Sequence, residues 1–125
     1  MQPSKRLQFG AELRLRSKLQ FDAIYAGGRR VDDKLFGLRF KPNGLDHPRV
    51  GLAVAIKTMG NAVARNRLRR LVRESFRLAQ HDLPAVDIVV AAKFPAREAL
   101  TPTLRASLAT LWQRVATTCA TSSKS

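Results

Sequence analysis

Hydrophobic and polar residues alternate with a period of two where Phe36, Leu38 and Phe40 interleave with Gly37, Arg39 and Lys41. That is the pattern of a strand with one face buried. Pro42-Asn43-Gly44 follows as turn chemistry, and Val50, Leu52, Val54 and Ile56 repeat the alternation across residues 49–56. The two runs predict an antiparallel hairpin with a loop longer than the two-residue minimum. The charged segment 29–34 reads as a loop, with an additional short strand expected near Arg30 and Val31. Residues 86–92 are almost continuously apolar, as expected of a strand buried on both faces.

Elsewhere the period lengthens to that of a helix. Ser17 offers a cap for a short helix through Ala26, ended by Gly27 and Gly28, with Leu19, Phe21, Ile24 and Tyr25 as its bulky residues. Residues 61–80 contain no proline and no glycine, and Pro84 lies just beyond them. Thr101 is expected to cap a final helix with Pro102 at its first position, and Leu104, Leu108, Leu111 and Val115 mark its core stripe. Residues 1–12 and 118–125 are expected to be flexible. There are no repeats and no linker, so residues 1–125 are expected to form one domain. The order of elements predicts a small two-layer α+β sandwich, a mixed sheet of about four strands with three helices.

Composition adds a partner. The 125 residues are 45% hydrophobic, enough to fold, yet 23 Lys and Arg oppose 9 Asp and Glu for a net charge of +14. A positive field of that size attracts polyanions, nucleic acid first. The single cysteine, Cys119, excludes an intrachain disulfide and a cysteine-based zinc site, and suits a reducing compartment. No apolar run approaches the roughly 18 residues of a membrane span, and the first residues lack the apolar stretch of a signal peptide. A cytoplasmic protein without a membrane partner is expected.

The charge is concentrated in residues 65–77, where six of thirteen residues are arginine. At about 100° per residue, Arg65, Arg69, Arg70, Arg73 and Arg77 fall within an arc of roughly 140°. Ala64, Leu68, Leu71, Val72, Ser75 and Ala79 lie opposite. Four of these arginines stand four residues apart and repel one another without an anion, and Glu74 relieves only part of that. A merely solvated face normally mixes signs, and the apolar side lacks the aromatic bulk of a membrane anchor. Guanidinium forks suit phosphate.

Catalytic chemistry is not evident. A protein nuclease needs an acid and a base, or carboxylates that gather metal ions. His47 and His81 belong to no catalytic motif and are expected at the surface; Asp32-Asp33 is the one adjacent acidic pair, in a predicted loop; Glu74 should pair with arginine; Cys119 should serve as a small hydrophobe. No catalytic residue, no metal site and no cofactor motif is assigned to the chain.

Residues 60–77, Gly-Asn-Ala-Val-Ala-Arg-Asn-Arg-Leu-Arg-Arg-Leu-Val-Arg-Glu-Ser-Phe-Arg, closely resemble the signature helix of the bacterial ribonuclease P protein subunit family. Arg14-Leu15 with Phe21 and Tyr25, Arg49-Val50-Gly51-Leu52 with Lys57, and Asp87-Ile88-Val89-Val90-Ala91 extend the resemblance over most of the chain. The resemblance implies a left-handed β-α-β crossover around the arginine helix, against the general right-handed rule. It implies a protein that binds the catalytic RNase P RNA, in a holoenzyme that removes the 5′ leader of precursor tRNA by endonucleolytic hydrolysis. The RNA would supply the active site with its Mg²⁺, and one protein monomer would bind one RNA.

Carried onto this chain, Arg65, Asn66, Arg67, Arg70 and Arg73 would contact the catalytic RNA. Arg69 and Arg77 join them on the helical-wheel geometry alone. Phe21, Tyr25 and Lys57 match the family's cleft for the single-stranded leader, where aromatic faces stack on unpaired bases. Many relatives have two adjacent lysines where this chain has Ile56 and Lys57, which implies a less basic cleft. The competing class is a structural RNA-binding protein of ribosomal type. A sequence-specific DNA reader ranks third, because a helix lined with arginine is not by itself a recognition helix with base-reading Asn or Gln.

Overall fold

A computed structural model of the chain describes residues 23, 24, 26–53 and 60–123, with side chains as far as Cys119. Four strands, β1 (Arg29–Asp32), β2 (Phe36–Pro42), β3 (Arg49–Ala53) and β4 (Val86–Ala92), form one mixed sheet in the order β1-β2-β4-β3. Two long helices, α1 (Ala62–Ala79) and α2 (Thr101–Ser123), follow β3 and β4 respectively. Of the helix expected over residues 17–26, Ala23, Ile24 and Ala26 are described as helical, as is Gly27, and the rest lies outside the described residues. The fold class is the predicted α+β arrangement.

The expected hairpin between β2 and β3 does not form. The two strands run in opposite directions, but β4 lies between them, antiparallel to β2 (Phe40 opposite Ile88) and parallel to β3 (Val50 opposite Ile88). The reason is burial: residues 86–90 are all buried, whereas β2 and β3 each keep partly exposed positions. Only an interior position covers both faces and both edges of such a strand. The actual hairpin joins β1 to β2, so the segment read mainly as loop contains the short strand expected near Arg30 and Val31.

A β4 in the interior brings its one charged residue inside. Asp87 is held by a bidentate contact from Arg49 (Nε 2.8 Å, Nη2 2.7 Å) and by the Asn43 amide at 2.9 Å. The hydrogen bond to Asp87 raises the Arg49 pKa above its ordinary value, with burial opposing. Asn43 also donates to the His47 carbonyl, fixing the turn in which Gly44 adopts φ +73°. Only glycine takes that backbone readily.

Both helices cover one face of the sheet. Leu68, Leu71, Val72 and Phe76 of α1 meet Leu104, Leu108, Leu111, Trp112 and Val115 of α2 over Leu38, Phe40, Val50, Ile88 and Val90. Phe76 and Trp112, absent from the predicted stripes, form the junction. Their rings meet edge to face at 5.8 Å, and the indole N–H donates to Ser75 Oγ at 2.8 Å. Cys119 packs partly buried against this core, and burial pushes its thiol pKa up. On the reverse face Ile24 packs with Val89 and Ala53. Gly28 allows the chain to cross there, since a Cβ would lie 2.4 Å from the Ile24 carbonyl.

The Asp32-Asp33 pair ties the hairpin to α2. Asp33 accepts from the amides of Leu35 (2.8 Å) and Phe36 (2.9 Å) and from the Ser107 hydroxyl. Lys93 Nζ donates to Asp32 Oδ2 at 2.7 Å and to the Asp33 carbonyl at 2.6 Å. The Lys93 hydrogen bond holds the Asp32 carboxyl below its ordinary pKa. For Asp33, burial pushes the pKa up, but Ser107 and the two amides outweigh it and the net shift is down.

Carboxylates with depressed folded-state pKa values stabilise the fold above the ordinary carboxylate range, about pH 4, and lose that contribution as pH falls through the folded value. Thermal melts of Asp33→Asn should therefore lie below wild type at pH 7, with the gap narrowing at lower pH; a constant gap would rule out an ionic contribution. Asp87→Ala, which strands Arg49, should cost about 3 kcal/mol in denaturant unfolding, and a loss below about 1 kcal/mol would mean water replaces the carboxylate.

Candidate nucleic-acid interface

The arginine helix is specified at its start by two residues. Gly60 turns the chain at φ +88°, and Asn61 caps α1, its Oδ1 accepting from the Ala64 N–H at 2.8 Å. The first turn contains no acid, so the positive end of the helix dipole is not neutralised from within the helix. Burial of Leu68, Leu71, Val72 and Phe76 then sets the rotation of the helix about its axis. Ala64, Ser75 and Ala79, expected on the same side, are half-buried at its margins.

That rotation divides the predicted RNA-binding residues. Arg70, Arg73 and Asn66 are exposed; Arg65, Arg69 and Arg77 are half-buried. Arg69 donates to Asn66 Oδ1 at 3.3 Å, which orients both side chains across one turn. Glu74, the one acid in α1, lies 3.6 Å from Arg77 and 4.0 Å from Arg105 of α2. Exposed pairs of this kind contribute at most about 1 kcal/mol. Arg65 keeps its Nε–H shielded from solvent with no acceptor among the described residues.

Arg67 lies off this face. Its Nη2 donates to the Ala99 carbonyl at 3.2 Å and to Thr101 Oγ1 at 3.1 Å, binding the start of α2 to α1. Thr101 was expected to cap α2, but the first turn closes one residue earlier, Leu104 N–H donating to the Leu100 carbonyl at 3.0 Å. Pro102 accordingly stands one position further into the helix. The Thr101 hydroxyl serves as acceptor for Arg67 instead.

Phe21, Tyr25 and Lys57, the predicted leader-binding residues, lie outside the described residues, as does Ile56. The described part of the reverse sheet face adds Arg39 beside Val89 and Lys41 beside Asp87. Both are the outward residues of the β2 alternation, so their side of the sheet was legible in the sequence although neither was singled out. Arg97 and Arg105 were also missed, and here the sequence offers no signal: packing alone brings them to α1. His47 places Nδ1 2.8 Å from Asp46 Oδ1, and His81 is exposed after α1. Among the described residues no group of three or more His, Cys, Asp or Glu side chains is placed to hold a metal ion, and no helix is long and apolar enough to cross a membrane.

A small basic α+β domain with an arginine-rich crossover helix on its surface is a nucleic-acid-binding class of protein. The family profile described as Ribonuclease P matches residues 9–116. The chain is 43% identical over 110 residues to the ribonuclease P protein component of Photobacterium profundum, covering 88% of this chain and 93% of the relative. The Staphylococcus aureus RNase P protein superimposes with a TM-score of 0.76 at 32% identity, over 86% of this chain and 94% of the other. The Thermotoga maritima RNase P protein gives 0.75 at 34% identity, over 82% and 96%.

The chain belongs to the bacterial ribonuclease P protein family. It is thereby an RNA-binding protein of tRNA processing, part of an endoribonuclease complex, and works with RNase P RNA in a ribonucleoprotein. None of these comparisons supports the ribosomal-type alternative.

The division of the arginines is testable by comparing two variants. Arg67→Ala should lose about 1–2 kcal/mol of stability through its two hydrogen bonds. Arg70→Ala should melt like wild type but bind RNase P RNA more weakly, with the salt dependence of log K reduced by about one. Equal melting and equal RNA binding by the two variants would overturn the division.

Proposed function

We propose that the exposed side of α1 binds the catalytic RNA through Arg65, Asn66, Arg69, Arg70, Arg73 and Arg77. Arg67 contributes chiefly by fixing α2 against that helix. Phe21, Tyr25 and Lys57 hold the single-stranded 5′ leader of precursor tRNA. The RNA carries out the hydrolysis with its own Mg²⁺, one protein acts per RNA, and the assembly works in the cytoplasm.

The observation that carries this assignment is the charge imbalance of α1, six arginines against Glu74 alone, on a helix whose opposite face is committed to the core. Neighbouring guanidinium groups that repel in the free protein are relieved by a polyphosphate, and release of its counterions drives association. Leader retention adds affinity for substrate, and by mass action this matters most when divalent ions are scarce.

Cleavage of a 5′-extended precursor tRNA by a bacterial RNase P RNA tests the proposal at low magnesium. Wild-type protein should stimulate the reaction by about tenfold or more, and the Arg65→Ala/Arg70→Ala double variant should lose most of that stimulation. Salt-sensitive RNA binding without stimulation would instead indicate a purely structural role.

A further inference from the structure

Among the described aromatic residues, Phe36, Phe40, Phe76 and Trp112 are each at most 3% exposed, whereas Phe94 is 63% exposed. A single exposed apolar side chain needs no explanation by itself. The surroundings of this one do. The Arg97 guanidinium carbon lies 5.8 Å from the centre of the Phe94 ring. The same guanidinium rests on Gly60, where a Cβ would come within 2.7 Å of Nη2. One arginine therefore bridges the exposed ring to the entrance of α1.

The ring is also held in place. Phe94 opens a 3₁₀ turn, Phe94–Arg97, and precedes Pro95, which restricts its backbone. Ala96 of that turn is fully buried, and its N–H donates to the Lys93 carbonyl at 2.9 Å. Lys93 is bound to Asp32 and Asp33, while Arg67 binds Ala99 and Thr101 just downstream. An exposed ring on so fixed a segment has little left to lose in conformational entropy on binding.

We propose that Phe94 and Arg97 form a stacking ledge that extends the arginine face beyond the start of α1 and receives one unpaired nucleotide of the RNase P RNA. The base lies on the open part of the Phe94 ring, and Arg97 reaches the adjoining phosphate. The occupant is RNA because the ledge adjoins a helix of six arginines in a chain of net charge +14, and an aromatic face with a flanking guanidinium is the general means of holding an unpaired nucleotide. Glu98, exposed next to Arg97, offsets charge at the ledge, so stacking supplies most of its affinity. This proposal rests on RNA binding by α1.

The test uses the full chain and an intact bacterial RNase P RNA, with affinities measured across a salt series. Phe94→Ala and Phe94→Leu should each weaken binding by about tenfold without altering the salt slope or the melting temperature. Phe94→Trp should bind at least as well as wild type, and its exposed indole should be quenched by RNA, in contrast to buried Trp112. Arg70→Ala, measured in parallel, reports the helix face through a reduced slope. Wild-type affinity in Phe94→Ala alongside weakened Arg70→Ala would overturn the ledge and leave the helix assignment standing. Wild-type affinity in both would overturn the two together. Full affinity in Phe94→Leu, with loss only in Phe94→Ala, would show apolar contact rather than stacking, the behaviour of a protein-docking surface, and would also overturn the proposal.

Discussion

Burial of β4 on every side is the constraint from which the arrangement of this protein follows. A strand whose residues 86–90 all lose their solvent must have a neighbour on each edge and cover on both faces. β2 and β3 are therefore held apart, and β3, running parallel to β4, can reach it only through a crossover connection. That crossover contains α1. Its inner side must cover the sheet, so its outer side is where Arg65, Arg69, Arg70, Arg73 and Arg77 are accommodated without entering the core, while Arg67 turns to the start of α2.

The same packing assigns the cations of the chain to different work. Arg49 neutralises Asp87 inside the sheet, Lys93 and Arg114 hold the β1–β2 hairpin, and Arg67 joins the two helices. In each case a guanidinium or ammonium group finds a carboxylate or carbonyl acceptor, so its charge is partly spent internally. Arg70 makes no such contact among the described residues, and Glu74 is the one acid within α1. The positive field left on the helix is the residue of charge that the fold does not use.

Much of this was legible from periodicity. The alternation of β2, the apolar run of β4, the capped arginine helix and the leucine stripe of α2 all appear where the pattern puts them, because each is decided by which side of a single element faces water. The strand pairing was not legible. Alternation reports that β2 and β3 each have one buried face, and says nothing of what lies along their edges. The partners of Asp32 and Asp33 were not legible for a related reason: the sequence places the pair in a loop, while the two residues accept from Lys93 and Ser107, about 60 and 74 positions away.

The candidate site divides along the same line. By itself the sequence determined that one helix carries a polyanion-binding charge density, that its opposite side is apolar, and to which family the pattern is similar, since these depend on residue type and spacing within one element. Only the tertiary structure decided that Arg67 donates to Ala99 and Thr101, that Arg105 shares Glu74, and that Arg97 rests on Gly60 beside an exposed Phe94. Those contacts join segments distant in the chain, and their geometry exists only once the shared core has fixed how α1, α2 and the sheet pack together.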